Sequence, residues 1–216
     1  MPEEIELYID GKRYKDFVSY KVDADLYTAA DAFSVDLGDP SLGIEPGGKC
    51  YLSINGALEM TGIIDFVNPS GKKDGGKFVI QGRDLMGLLV DAHVEEFITL
   101  KDYTLKALCE RLIANVPFIN KKQVYYNETA GAGRGKLKNK GAAVGMWDTG
   151  MTFSQTEPGM TVFEVLKEYS RSIGLLFYCR ADGSLVFGKP KSGGAPSYFI
   201  FKIRRTANST TPWNMK

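Results

Sequence analysis

The chain has 216 residues, 44% of them apolar and 12% aromatic, which predicts sizeable hydrophobic cores in one large or two ordinary domains. Its 27 Lys and Arg residues offset 26 Asp and Glu residues, and the net charge of +1 excludes a general attraction to nucleic acid or to anionic membranes. No apolar run reaches the ~20 residues of a membrane helix, and the N-terminal Met-Pro-Glu-Glu lacks a signal-peptide pattern. We therefore expect that the chain folds in the cytoplasm and does not insert into a membrane.

Strand patterns fill most of the N-terminal third of the chain. Six segments show alternating polarity or short apolar runs: 5–9, 18–22, 33–37, 50–54, 60–67 and 78–81. Turns are predicted at Asp10-Gly11, Asn55-Gly56 and Asp74-Gly75, because glycine permits a positive φ. Short strands joined largely by hairpins predict a small antiparallel barrel or sandwich.

Two linkers interrupt this rhythm. Segment 23–31 is too long for a tight turn and carries Leu26 and Tyr27, apolar side chains in a polar loop that we interpret as contacts to another subunit. The alternative is that they pack against the core of their own barrel. Segment 69–77 predicts a mobile hairpin tip that holds Lys72 and Lys73 in water, and these lysines are the second candidate interaction site.

After Arg83 the spacing at which apolar residues recur changes from two towards 3.6 residues. Leu85, Leu88 and Leu89 predict a short helix that ends near residue 91, and the apolar positions of 104–116 predict a longer helix that Pro117 stops. Residues 119–158 are rich in Gly, Lys and Asn. They predict an extended loop with short strands at 124–126 and 151–153.

A capping box predicts the start of the next helix. Thr161 and Glu164 have the spacing at which each side chain satisfies the other's free backbone amide, and Gly174 supplies a left-handed end. Strands at 175–178 and 185–187 then form a hairpin that turns at Asp182-Gly183. A further strand at 197–203 has no partner after it, so we expect a third unit that the chain leaves incomplete.

Charge is distributed unevenly, and the basic part carries no nucleotide-binding motif. Residues 1–50 contain eleven acids and five bases, whereas residues 121–140 contain six bases and one acid. The glycine-rich segment 131–136 fails the phosphate-loop motif, because Ala130 stands in place of glycine and Leu137 in place of Ser or Thr. We interpret it as a flexible basic loop.

The residue inventory predicts no catalytic centre. Nothing in the sequence orients His93 towards Cys109, and the available carboxylates stand in no recognisable context: Glu95, Glu96, Glu128 and Glu157. The three cysteines lie 59 and 70 residues apart, which fits neither a disulfide framework nor a zinc site, so we expect buried thiols. We predict no enzymatic activity, no cofactor and no metal.

Five motifs follow one another in an order that identifies a family resemblance. They are Ala32-Phe-Ser-Val-Asp-Leu37, Pro46-Gly47, Gly62-Ile-Ile-Asp65, Gln81-Gly-Arg-Asp-Leu85, and the segment 161–175 leading to Asp182-Gly-Ser-Leu-Val186. This order resembles the baseplate hub proteins of contractile-tailed phages, especially the Mu-like tail protein P family and its late-control protein D relatives.

The resemblance implies an α+β fold in three parts. Residues 1–92 would form a tube-like antiparallel β-barrel, residues 93–190 an α+β domain with the long basic loop, and residues 191–216 the beginning of a second, truncated barrel. It also implies a structural role at the virion tail baseplate without an active site. There a homotrimer would join the tail tube protein to the central spike protein, and DNA would pass through the lumen without specific binding. We expect the acidic N-terminal block to make that lumen repel DNA.

A sugar- or peptidoglycan-binding β module, associated with cell-wall penetration, is the alternative. Such a module would present a groove lined by several exposed aromatic residues from among Tyr8, Tyr14, Tyr51 and Trp147.

Overall fold

The β-patterned N-terminal region forms one antiparallel sheet of seven strands. The computed structural model describes residues 4–15, 17–25, 28–38, 43–72, 75–126 and 154–188. The strands are β1 (Ile5–Ile9), β2 (Lys12–Tyr14), β3 (Phe17–Asp23), β4 (Ala32–Leu37), β5 (Lys49–Ile54), β6 (Ala57–Lys72) and β7 (Gly75–Asp84). Their order in the sheet is β2-β1-β5-β6-β7-β4-β3.

The chain connection between β2 and β3 requires this sheet to be curled. These strands are the two edges of the sheet, yet only two residues separate Tyr14 from Phe17. Three peptide units span at most ~11 Å, whereas the edges of a flat seven-stranded sheet would lie roughly 29 Å apart. The sheet therefore bends back on itself, and the predicted barrel-like shape is confirmed.

The concave face of the sheet encloses the first hydrophobic core. Leu7, Val35, Leu52 and Ile80 have no solvent exposure, and they come from β1, β4, β5 and β7. The alternation predicted for 5–9 and 33–37 is confirmed, because every second residue faces this core. The turns at Asp10-Gly11 and Asn55-Gly56 are also confirmed, since all four residues have positive φ angles.

Two bulges place apolar residues on the opposite face from the one that simple alternation predicts. The register of β3 against β4 shifts between Phe17 and Ser19, so Val18 is 71% exposed instead of lying on the apolar face. A second shift between Ile64 and Phe66 leaves Phe66 49% exposed. Val18 and Phe66 therefore depart from the alternation expected of their predicted strands.

The second core is built from helices and a small mixed sheet. The elements are α1 (Met86–Asp91), α2 (Leu105–Leu112), β8 (Val124–Tyr126), α3 (Val162–Ser172), β9 (Leu176–Cys179) and β10 (Leu185–Gly188). The sheet order is β8-β10-β9, with β8 parallel and β9 antiparallel to β10. The rings of Tyr126, Phe187 and Phe177 stack in sequence across it, with centroids 5.4 and 4.4 Å apart. The α+β fold class is thus confirmed.

The ends of the helices follow the predicted caps, with one difference. Thr161 and Glu164 form the complete capping box, and Gly174 has the left-handed φ of 72°. Helix α2 begins after its cap residue Thr104 but ends at Leu112, short of the predicted 116. The following backbone tightens into three-residue turns, in which Val116 N donates to the carbonyl of Ile113.

Several predictions concern residues that the structure does not describe. The basic loop, the strand at 151–153 and the unit beginning at 197 lie outside the described residues. Met86 and Leu89 of α1 belong to the second core, and the division at 92 and 190 stays a prediction. Among the helices of the described ranges, none has both the length and the apolar content needed to cross a membrane.

Candidate functional site at the junction of the two cores

The two cores meet where β7 runs directly into α1, with Leu85 alone between Asp84 and Met86. The motifs Gly62-Ile-Ile-Asp65 and Gln81-Gly-Arg-Asp-Leu85 lie side by side there, because β6 and β7 pair from Gly62 opposite Asp84 onwards. The junction therefore brings together two of the five motifs that carry the family resemblance.

Two glycines allow the backbones of β6 and β7 to approach closely. A Cβ atom on Gly62 would lie 2.1 Å from the carbonyl oxygen of Arg83, and one on Gly82 would lie 2.2 Å from that of Ile63. A Cβ on Gly82 would also lie 2.6 Å from the ring of Phe33 on β4. Since neither carbonyl can move without breaking the ladder, these positions require glycine at the bend of the sheet.

Arg83 connects the sheet to α1 through two carboxylates. Its Nε and Nη2 donate to Asp65 at 2.7 and 3.0 Å, and its Nη1 and Nη2 donate to Asp91 at 3.2 and 2.7 Å. The guanidinium crosses α1 above Gly87, where a Cβ would be 3.2 Å from Nε and Cζ. Both carboxylates hold the pKa of Arg83 well above its usual value, Asp65 more strongly than Asp91. The helix is thereby fixed to β6 and β7.

Asp84 is a buried carboxyl at the same junction. It is 7% exposed, its Oδ1 accepts a hydrogen bond from Met86 N at 3.0 Å, and its own N donates to the Asp31 carbonyl at 2.9 Å. Burial, and secondly the charge of Asp31, raise the pKa of Asp84 to about 7. This residue joins β7, the β3–β4 connection and the start of α1.

The turn between β9 and β10 packs against the sheet beside Leu85. A Cβ on Gly183 would lie 2.8 Å from Leu85 Cδ1 and 3.2 Å from Thr61 Cγ2, so this turn touches β6 as well. Thr61 and Ser184 are buried here, and within the described part of the chain their hydroxyl oxygens find no hydrogen-bond partner. The interface is tightly packed but incompletely hydrogen-bonded.

A cavity of about 240 Å³ opens between the cores. Asp25 and Asp31 line it from the β3–β4 connection, Asp84 from β7, and Tyr178 and Cys179 from β9. Burial raises the pKa of Cys179 to about 12, so this thiol stays protonated at neutral pH. The described residues form no group of three potential metal ligands.

The residues considered for catalysis lie apart or are engaged elsewhere, as far as the structure describes them. Cys109 is fully buried, and burial raises the pKa of its thiol to about 12, while His93 is exposed. Glu96 is engaged by Arg111, and Glu95 and Glu157 are exposed. Glu128 lies outside the described residues.

The candidate carbohydrate-binding aromatics lie on different faces of the sheet. Tyr8 on β1 and Tyr51 on β5 are paired directly across the two strands, on the convex face. Tyr14 is paired with Leu7 instead and packs on the first core. Trp147 lies outside the described residues. The sheet thus separates Tyr14 from Tyr8 and Tyr51, and the three described tyrosines do not line one groove.

The candidate interaction residues stay untested. Leu26, Tyr27 and Lys73 lie outside the described residues, and for Lys72 only its backbone at the end of β6 is described. Neighbouring Ala29 and Ala30 pack against the second core. These two alanines therefore lie at the junction, a position that sequence alone did not predict.

The matches to known proteins cover the curled sheet and the second core. Residues 4–84 match the family described as Mu phage baseplate assembly protein GpP-like, N-terminal, which is the curled sheet up to the junction. The chain is 28% identical over 197 residues to the baseplate hub protein gp44 of Escherichia phage Mu, covering 89% of this chain and 47% of that protein.

Solved structures extend the likeness through the second core. A tail protein from Neisseria meningitidis MC58 aligns with a TM-score of 0.69 and 28% identity over 91% of this chain and 53% of its own. The 43 kDa tail protein of prophage MuSo2 from Shewanella oneidensis shares the fold, with a TM-score of 0.63 and 21% identity over 88% and 56%. The chain spans about half the length of these relatives.

The curled sheet, the junction and the α+β core form a β-rich fold that resembles the fold of the solved tail protein from Neisseria meningitidis. More specifically, the resemblance to Mu-like baseplate hub proteins is confirmed, and the N-terminal sheet matches the model of the GpP-like N-terminal domain. The roles of Arg83, Asp84 and their partners were not predicted, although the motifs that contain them were recognised.

Proposed function

We propose that this chain is a structural component of a phage or prophage tail baseplate hub, and that it works by assembly and not by catalysis. In this proposal three copies surround an axis, join the tail tube to the central spike and leave a channel through which DNA passes without specific binding. Assembly takes place in the bacterial cytoplasm before the tail is complete.

One observation carries the proposal: the curled sheet continues without a linker into the second core, and this arrangement aligns over 91% of the chain with a solved tail protein. The Arg83 ion pairs and the Gly183 contact hold the cores against each other. Such a junction suits a component that must keep its shape between two neighbours.

The mass of the protein in solution tests the assembly. Light scattering should report a trimer for a version extended to the full length of the relatives, and comparison with this chain shows whether residues beyond 216 are required. A trimer interface should bury well over ~1,000 Å² and be rich in apolar contacts. A monomer at every concentration for the extended version would contradict the proposal.

Partner binding gives an independent test. The extended protein should co-purify with co-expressed tail tube and spike proteins, and should leave duplex DNA unshifted at physiological salt. A parallel incubation with cell-wall fragments tests the sugar-binding alternative: specific retention, lost when Tyr51 is replaced by alanine, would favour that alternative over the hub.

A further inference from the structure

We propose that the junction is a proton-sensitive joint: the two cores stay packed together while Asp84 carries a proton, and the joint loosens when Asp84 ionises. This response to pH is a property of the single chain, and it does not depend on the proposed assembly.

The position of Asp84 makes it the link between three elements. Its backbone N donates to the Asp31 carbonyl, its carboxyl accepts from Met86 N, and its side chain lines the cavity between the cores. A change in the charge of this one carboxyl therefore acts on β7, on the β3–β4 connection and on α1 together.

Burial and the charged groups around Asp84 favour its neutral form and outweigh the backbone amides of Met86, Asp31 and Gly87, which lower its pKa. Among the described residues that line the cavity there is no Lys, Arg or His; the titratable ones are Asp25, Asp31, Asp84, Tyr178 and Cys179. The nearest cation along the chain, Arg83, is engaged by Asp65 and Asp91. In the β9–β10 turn, Asp182 adds negative charge near Cys179, and Arg180 lies over the ring of Tyr125. Within the described part of the chain, an ionised Asp84 thus gains a like-charged neighbour and no counter-ion.

The direction of the pH effect follows from linkage. The pKa of Asp84 is about 7 in the packed structure against 3.8 for an ordinary aspartate, so the packed form binds the proton more tightly than an open form. The resulting stabilisation is complete below pH ~4 and is lost as the pH rises through ~7. The cavity gives water a place beside the ionised carboxylate, and the lone hydroxyls of Thr61 and Ser184 would also gain water if the interface opened.

Amide hydrogen exchange across α1 measures the opening directly. After correction for intrinsic exchange, the opening constant of the α1 amides should rise about tenfold per pH unit between pH 5 and 7 and level off above that range. Asp84→Asn, which stays neutral, should keep these amides protected and remove the pH dependence. Asp102→Asn, which changes an exposed aspartate shortly before α2, is the matched control and should keep the wild-type profile.

The outcomes are distinguishable. An opening constant independent of pH in the unmodified chain would overturn the proposal, and so would a pH dependence that persists in Asp84→Asn. If that variant does not fold, the carboxyl carbon of Asp84 is followed by NMR in the unmodified chain and in Asp31→Asn. A midpoint near 7 that falls in Asp31→Asn supports the joint, whereas a midpoint below 5 in the unmodified chain overturns it.

Discussion

Arg83 and Asp65 face each other on β7 and β6 in a two-pronged ion pair, with Nε–Oδ2 and Nη2–Oδ1 distances of 2.7 and 3.0 Å. The same guanidinium reaches Asp91 at the end of α1. A planar guanidinium suits this arrangement because its donors fork towards two carboxylates at once. One side chain thus ties the sheet to the first element of the second core.

Arg83→Lys should weaken this tie although it keeps the charge. A lysine ammonium is a single point of donation and cannot hold both carboxylates in the forked geometry. Because the site is partly exposed, we expect a loss of about 1 kcal/mol in the free energy of unfolding, measured by chemical denaturation.

Lys106→Ala is the control for a simple surface ion pair. Lys106 contacts Glu110 at 3.7 Å across one helical turn, with both side chains well exposed. Its loss should change the free energy of unfolding by less than ~0.5 kcal/mol. Equal losses in the two variants would show that Arg83 acts only as another surface charge.

Gly82→Ala should be far more damaging than its size suggests. The added methyl would lie 2.2 Å from the Ile63 carbonyl and 2.6 Å from the Phe33 ring, so β6 and β7 would have to separate. We expect a loss of about 3 kcal/mol or more, or failure to fold.

Gly38→Ala provides the comparison for this glycine. Among the described residues, its added methyl would have only Val18 Cγ2 nearby, at 3.8 Å. Thermal unfolding of this variant should match that of the parent chain within the effect of ~0.5 kcal/mol expected for a surface substitution. If Gly82→Ala unfolded at the same temperature as Gly38→Ala, the close approach of β6 and β7 would not be required.

Local sequence signals predicted the parts of the fold that depend on local physics. Asn55-Gly56 and the Thr161–Glu164 box each act within a few residues, so their structures follow from spacing alone. The short polar strand β2 was missed, because Lys12–Tyr14 shows no apolar run and is a strand only through its pairing with β1. Local pattern therefore predicted most elements but not how the sheet curls.

The junction depended on long-range geometry that alternation does not contain. The bulge between Ile64 and Phe66 shifts the register of β6 against β7. The residue types at these positions do not predict a bulge. The burial of Asp84 depends on β9, which lies almost a hundred residues further along the chain. Sequence could therefore recognise the motifs as a family pattern without assigning an ion pair or a buried acid within them.

Thr161→Ala should destabilise α3 by about 1 kcal/mol, because Glu164 N loses its acceptor. The hydrogen bonds from Thr161, first its backbone and then its side chain, hold the pKa of Glu164 below 4.5. This contribution to stability is present above pH ~4.5 and is lost as the pH falls through the lowered pKa. Alanine keeps the backbone donor and removes the side-chain one, so denaturation at pH 3 and pH 7 should show a larger loss at pH 7 by the side-chain share of this contribution, whereas Thr161→Ser should keep the wild-type difference.

Thr61→Val should have the opposite effect from Thr156→Val, although both threonines are buried. Thr61 is 1% exposed, and its hydroxyl finds no hydrogen-bond partner among the described residues. Thr156 is fully buried, and its hydroxyl accepts a hydrogen bond from Ile98 N and donates one to the Glu96 carbonyl, both at 2.7 Å. A methyl in place of an unpartnered hydroxyl removes a desolvation cost, so Thr61→Val should be neutral or stabilising by up to ~1 kcal/mol. Thr156→Val leaves a backbone amide and a carbonyl unsatisfied and should cost roughly 1–3 kcal/mol. Urea denaturation of the two variants measures both values, and a comparable loss in Thr61→Val would mean that its hydroxyl is hydrogen-bonded after all, through ordered water at the junction.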